Sequence, residues 1–122
     1  MASAEYQVVP IGHVRVDQGG FAIVVSEQYR PALTELDGFS HLNILWWCDH
    51  LDGPAFREMT IAHKPYKAGP DQVGIFATRS PARPNPIALT AVPVLSLDNQ
   101  AGVIQIAYID AQPSTPVLDI KP

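Results

Sequence analysis

The chain has 122 residues, 47% of them hydrophobic and 16% charged, with one cysteine and a formal net charge of -4. This length suits one domain over residues 1–122 with a single core. The composition excludes a disordered chain, no apolar run approaches the ~20 residues of a membrane span, and the acidic balance argues against nucleic-acid binding by bulk electrostatics.

In chain order, the opening residues MASAEYQVV lack the basic-then-apolar pattern of a secretion signal. Residues 6–16 are rich in valine and isoleucine and predict a strand bent at Pro10 and Gly12. Gly19-Gly20 predict a hairpin turn into a second strand over 21–25. Residues 26–33 predict one or two helical turns, with Ser26 as N-cap and Pro31 limiting the length. Asp37-Gly38 form a turn. Residues 40–48 predict a strand in which alternation sends Trp46 and Trp47 to opposite faces. One ring is expected in the core and the other against a partner or ligand; ordinary packing of both is the competing reading, and the stronger one for each ring taken singly.

The strand ends in a polar turn that starts at Asp49-His50. Together with Cys48, and with His41 or His63, these residues raise a metal site, but the spacing fits no zinc pattern, and no metal is expected. A Cys48–His50 nucleophile pair would share one strand face, without a third group to orient it. Cys48 reads as a small buried hydrophobe, and a single cysteine allows no internal disulfide, which suits a reducing cytoplasm. Asp49 and His50 read as strand-end residues facing a pocket. Residues 56–63 predict a strand, 64–71 a loop and 73–78 a strand. Residues 87–97 predict a long strand, kinked or at an edge at Pro93. A turn at 98–102 returns the chain along 103–109, and 113–122 is a turn followed by a short extended piece. Seven or eight short strands without a long helix predict an all-β fold, a sandwich or a small barrel with proline-rich loops.

The most informative stretch is GIFATRSPARPNPIAL, residues 74–89. Its three prolines each fix φ and remove an amide donor. Ser80, Arg83 and Asn85 each precede a proline and are steered to extended backbone. The product is a stiff loop that holds two guanidinium groups, a hydroxyl and an amide at little entropic cost, as a ligand site requires. A rigid surface turn with solvated arginines is the competing reading. Five of the eight Lys and Arg residues, namely Arg57, Lys64, Lys67, Arg79 and Arg83, lie in an interval opposed only by Glu58 and Asp71. A local basic face is thus compatible with an acidic chain.

The run GIFATRSPARPNPIALTAVPVL, the earlier Gly38-Phe39-Ser40-His41-Leu42 and the closing Thr115-Pro116-Val117-Leu118-Asp119-Ile120-Lys121-Pro122 resemble the TsaA-like (TrmO-type) methyltransferase family, in the family's order and over most of the chain. The resemblance implies a small β-barrel, a cytoplasmic homodimer, and S-adenosylmethionine as cofactor. The reaction it implies is methylation of the exocyclic nitrogen (N6) of threonylcarbamoyl-adenosine beside the tRNA anticodon. The absence of a GxGxxG fingerprint agrees with a class that does not use the dinucleotide-binding fold.

Residue by residue, the resemblance assigns cofactor binding to Asp49, His50, Arg79, Leu89 and the turn Pro113, Ser114, Thr115 and Pro116. It leaves His50, Asp49 and Asp119 as candidate bases, and puts Arg83, Asn85 and Lys121 on the substrate side. The chemistry is apt. A guanidinium such as Arg79 suits the cofactor's carboxylate, and Ser114 and Thr115 suit its ribose and adenine edge. The chain departs from the family pattern in three places. Gly19-Gly20 replace a Pro-Arg-Gln loop, Pro113-Ser114-Thr115-Pro116 replaces DGTP, and Ala88 stands where a glycine is usual. Some members also carry a C-terminal domain that helps to grip tRNA. Three functions follow: the tRNA methyltransferase, a methyltransferase with a small-molecule or other modified-base acceptor, and a non-catalytic barrel that binds the cofactor as a sensor or interaction module.

Overall fold

A computed structural model describes residues 4–122. Contacts divide the described residues into two compact units: residues 4–46 with 89–122, and residues 47–88.

The first unit is built on a closed barrel. Its strands are β1 (Gly12–Asp17), β2 (Gly20–Val25), β3 (His41–Trp47), β6 (Ile87–Asp98), β7 (Val103–Ile106) and β8 (Pro116–Lys121), in the order β1-β2-β7-β6-β3-β8. Alternation drives it. Val14, Ile23, Val25, Leu42, Ile44, Ile104, Ile106 and Val117 point inward and are almost fully buried. Each such side chain contributes about 1.5–3 kcal/mol. Closure gives each of these strands a neighbour on both sides. Gly12 is paired on both sides, with Val25 and with Val117.

The all-β reading holds, and the predicted hairpin is present, with Asp17 opposite Gly20 and Gly20 at φ 103. Several predicted boundaries move. The first strand begins at Gly12, not at residue 6; Pro10 has no N–H to give a ladder, and residues 4–10 are exposed. The turns after β2 form a 3-10 helix, Glu27–Leu33, which Ser26 caps with its backbone carbonyl (accepting from Tyr29 N–H at 2.9 Å) and not with its side chain. The seventh strand stops at Ile106, because Ile109 turns into the core. Pro93 stands beside a register shift between Val94 and Ser96, where its carbonyl accepts from Ala107 N–H at 3.2 Å.

The second unit holds the two-stranded sheet of β4 (Ile61–His63) and β5 (Gln72–Gly74). The strand predicted over 56–63 is mostly not one. Pro54 occupies the first helical position, as its fixed φ favours, and opens α1 (Pro54–Arg57). The strand predicted over 73–78 also ends early. The chain winds into a 3-10 turn, Ile75–Ala77, closed by Thr78, whose N–H and hydroxyl both donate to the Ile75 carbonyl at 3.0 and 2.8 Å. No helix among the described residues is long and apolar enough to cross a membrane.

Candidate functional site

The proline loop of residues 79–86 is fastened inside the second unit by two arginines. Arg83 folds back on its own loop, its Nη1 donating to the carbonyls of Thr78 and Ser80, both at 3.1 Å. Thr78 Oγ1 accepts from Ser80 N–H at 3.2 Å. Arg57 holds the far end. Its Nε donates to the Pro84 carbonyl at 2.8 Å, its Nη2 to Asn85 Oδ1 at 3.1 Å and its Nη1 to Asp52 Oδ1 at 3.1 Å. The guanidinium also lies 5.9 Å from the Trp47 ring centroid, within cation–π range. Pro86 is buried and its carbonyl accepts from Cys48 N–H at 2.8 Å. Pro84 and Pro86, which cannot donate, thus serve as acceptors.

Sequence reasoning missed Arg57. The signals available were the Gly53-Pro54 helix start and the five-residue spacing to Asp52. Asn85, read as a substrate residue, has its side-chain oxygen engaged by Arg57. Arg79 is exposed at the loop's entry.

Asp49 and His50 lie on a 3-10 turn, Asp49–Leu51, not on a strand. Asp49 Oδ1 and His50 Nε2 are 3.9 Å apart, with side chains 42% and 75% exposed. Cys48 is buried, so the same-face strand relation imagined for a Cys48–His50 pair does not arise. Among the described residues no three His, Cys, Asp or Glu side chains form a group that could hold a metal ion.

In the first unit, Leu89 lies partly exposed on β6. The turn of Pro113 to Pro116 is bound to β1: Ser114 N–H donates to the Val14 carbonyl at 2.7 Å, and Val14 N–H to the Thr115 carbonyl at 2.9 Å. Thr115 is buried, whereas Ser114 is exposed with φ 70, in the left-handed region. Asp119 and Lys121, two apart on β8 and so on one face, form an ion pair of 3.7 Å; Asp119 also accepts from Ile120 N–H at 2.9 Å. Trp46 packs against the core, and its indole donates to Thr90 Oγ1 at 3.0 Å. The two tryptophans differ, Trp46 packed against the core and Trp47 beside the Arg57 guanidinium of the same chain, which is ordinary packing and not a partner or ligand contact.

The sequence profile of the tRNA-methyltransferase O N-terminal domain matches residues 3–122. A probable S-adenosyl-L-methionine-binding protein of Halobacterium salinarum is 33% identical over 100 residues, covering 82% of this chain and 73% of the relative. The tRNA (adenine(37)-N6)-methyltransferase of Escherichia coli is 30% identical over 113 residues, covering 91% of this chain and 47% of the enzyme. The crystal structure of TrmO from Pseudomonas aeruginosa superimposes with a TM-score of 0.71 at 25% identity, over 99% of this chain and 55% of that one. The chain thus spans about half the length of the last two proteins.

Proposed function

This chain belongs to the tRNA-methyltransferase O N-terminal domain family, and from that premise we propose that it is an S-adenosylmethionine-dependent methyltransferase acting on N6 of adenine in tRNA, with threonylcarbamoyl-adenosine beside the anticodon as acceptor. The observation that carries the reading is the RSPARPNP loop, matched to the family and held rigid by Arg57 and Arg83. The reading takes residues 1–122 as one TsaA-like domain acting as a homodimer.

The residues suit the cofactor chemically. Arg79 offers an exposed guanidinium to a carboxylate, and Asp49 offers an exposed carboxylate to a cationic sulfonium. Leu89, Pro113, Ser114, Thr115 and Pro116 retain the assignments the family resemblance gives them, each open to test by single substitution. The cofactor, when bound, supplies an electrophilic methyl group to the acceptor nitrogen and leaves as the thioether. The protein's part is to orient the acceptor and receive one proton from its nitrogen. Positioning can supply at most about 7–11 kcal/mol of the barrier. His50, with Asp49 as its neighbour, is the base this reading favours, since the Asp119 carboxylate is already shared with Lys121 and a backbone N–H.

The test is mass spectrometry of bulk tRNA from cells with and without this protein. Loss of one methyl group from the modified adenosine is the expected result. An unchanged nucleoside profile, with the cofactor still bound in calorimetry, favours the binding module. That reading has its own observation: the Halobacterium relative is named for binding alone.

A further inference from the structure

We propose that the second unit carries a face for single-stranded RNA, with Phe76 as a base-stacking side chain; the inference rests on the tRNA reading above and specifies where the RNA docks. Residues 47–88 hold five cations, Arg57, Lys64, Lys67, Arg79 and Arg83, against four carboxylates, a balance of +1, whereas the rest of the chain holds three cations against eight carboxylates, a balance of -5. Basic charge is therefore segregated onto this unit. Two of its carboxylates lie beside cations of the same unit, Asp52 beside Arg57 and Asp71 beside Lys64. Arg83 donates to two carbonyls, which leave its charge uncompensated.

Phe76 is 83% exposed, although its neighbour Ile75 is fixed. Ile75 is buried and its N–H donates to the Thr60 carbonyl at 2.9 Å. The 3-10 turn rotates successive side chains by a third of a turn, so anchoring Ile75 inward turns Phe76 out. Leaving this ring in water forgoes the stabilisation that burial would give it. A second exposed ring, Tyr66, lies in the loop joining β4 to β5, at the other end of β5 and next to Lys67. Exposed rings among cations are the means by which proteins hold unpaired bases, the rings stacking and the cations tracking phosphates. An aromatic face meant for another protein has no need of the charge excess.

The experiment measures fluorescence anisotropy of a labelled hairpin RNA with a single-stranded loop, at several salt concentrations, against the full chain and its variants. Phe76→Ala is expected to weaken binding about 5- to 150-fold, and Phe76→Trp to retain it. Lys67→Gln is expected to lower the slope of log affinity against log salt by about 0.7. Calorimetry with S-adenosylmethionine is expected to be unchanged in all three. Tyr66→Ala supplies an independent arm, with folding followed by circular dichroism. Wild-type RNA affinity in both Phe76→Ala and Tyr66→Ala overturns the stacking face while leaving the methyltransferase reading intact. Loss of RNA binding that coincides with dissociation to a monomer overturns it in favour of a second copy of the chain. A wild type that binds the cofactor but no RNA overturns both the face and the tRNA acceptor.

Discussion

The Nε of Arg57 donates to the carbonyl oxygen of Pro84 at 2.8 Å. The two residues are 27 apart in sequence, and the bond ties a one-turn helix to the far end of the loop that matches the family. The same guanidinium reaches Asn85 and Asp52, so one side chain holds three acceptors. Arg57→Ala should destabilise the protein by about 1.5–3 kcal/mol, read as a fall of several degrees in Tm. Arg57→Lys should not restore it, because an ammonium cannot make the fork. A melting curve identical to the wild type in both variants would show that the loop stands without this tie.

The two arginines of the loop should separate. Arg79 is exposed at the loop's entry, and Arg79→Ala is expected to weaken S-adenosylmethionine binding by roughly ten- to a hundredfold, the worth of one charged hydrogen bond. Arg83 fastens the loop to itself, and Arg83→Ala is expected to lower Tm. Cofactor titration and thermal melting of both variants check this. Wild-type cofactor affinity in Arg79→Ala would remove Arg79 from the site.

Ser114 adopts φ 70 where the family pattern has glycine. The left-handed conformation costs a side-chain-bearing residue about 1–2 kcal/mol, and the greater freedom of glycine in the unfolded chain takes back about 0.4–1. Ser114→Gly should therefore stabilise the cofactor-free protein by about 0.5–1 kcal/mol, seen as a higher denaturant midpoint at unchanged slope. A lower midpoint would mean that the Ser114 side chain makes a contact of its own.

Gly12 has no room for a methyl group. A Cβ there would collide with the Val24 carbonyl oxygen, and would lie 3.0 Å from Val24 C and from Val25 Cα. All are backbone atoms of the neighbouring strand, and β1 is held on its other side by β8. Gly12→Ala should cost about 1–3 kcal/mol or more. Unchanged stability in urea would show that the barrel can shift a strand at this closure.

Light scattering is expected to find a homodimer with an isologous contact, and Phe76→Ala should leave it dimeric. A monomer at micromolar concentration, with cofactor affinity unaffected by dilution, would refute this.

The barrel's strands were legible because their determinants are local and periodic, whereas the pattern left sandwich and barrel open. Alternating Val, Ile and Leu over residues 21–25 and 41–47 specify one inward face whatever the neighbours are. The proline loop was legible for a related reason: each proline acts on its own φ and on the residue before it. The family blocks lie in those same segments, and so the expected residues could be named by number. What surrounds them was not legible. Nothing local in Arg57 says that it will bind Pro84 and Asn85, and nothing in Ile-Phe-Ala says that Thr78 will wind these residues into a 3-10 turn. These outcomes depend on partners that only folding brings near, such as the Thr60 carbonyl taken by Ile75. The sequence alone determined where most of the barrel strands lie and where the chain is stiff. Tertiary structure decided that Arg57 holds Pro84 and Asn85, that Phe76 faces water and that Ser114 takes a left-handed turn, because hydrogen-bond partners distant in sequence select among backbone conformations that local preference leaves nearly equal.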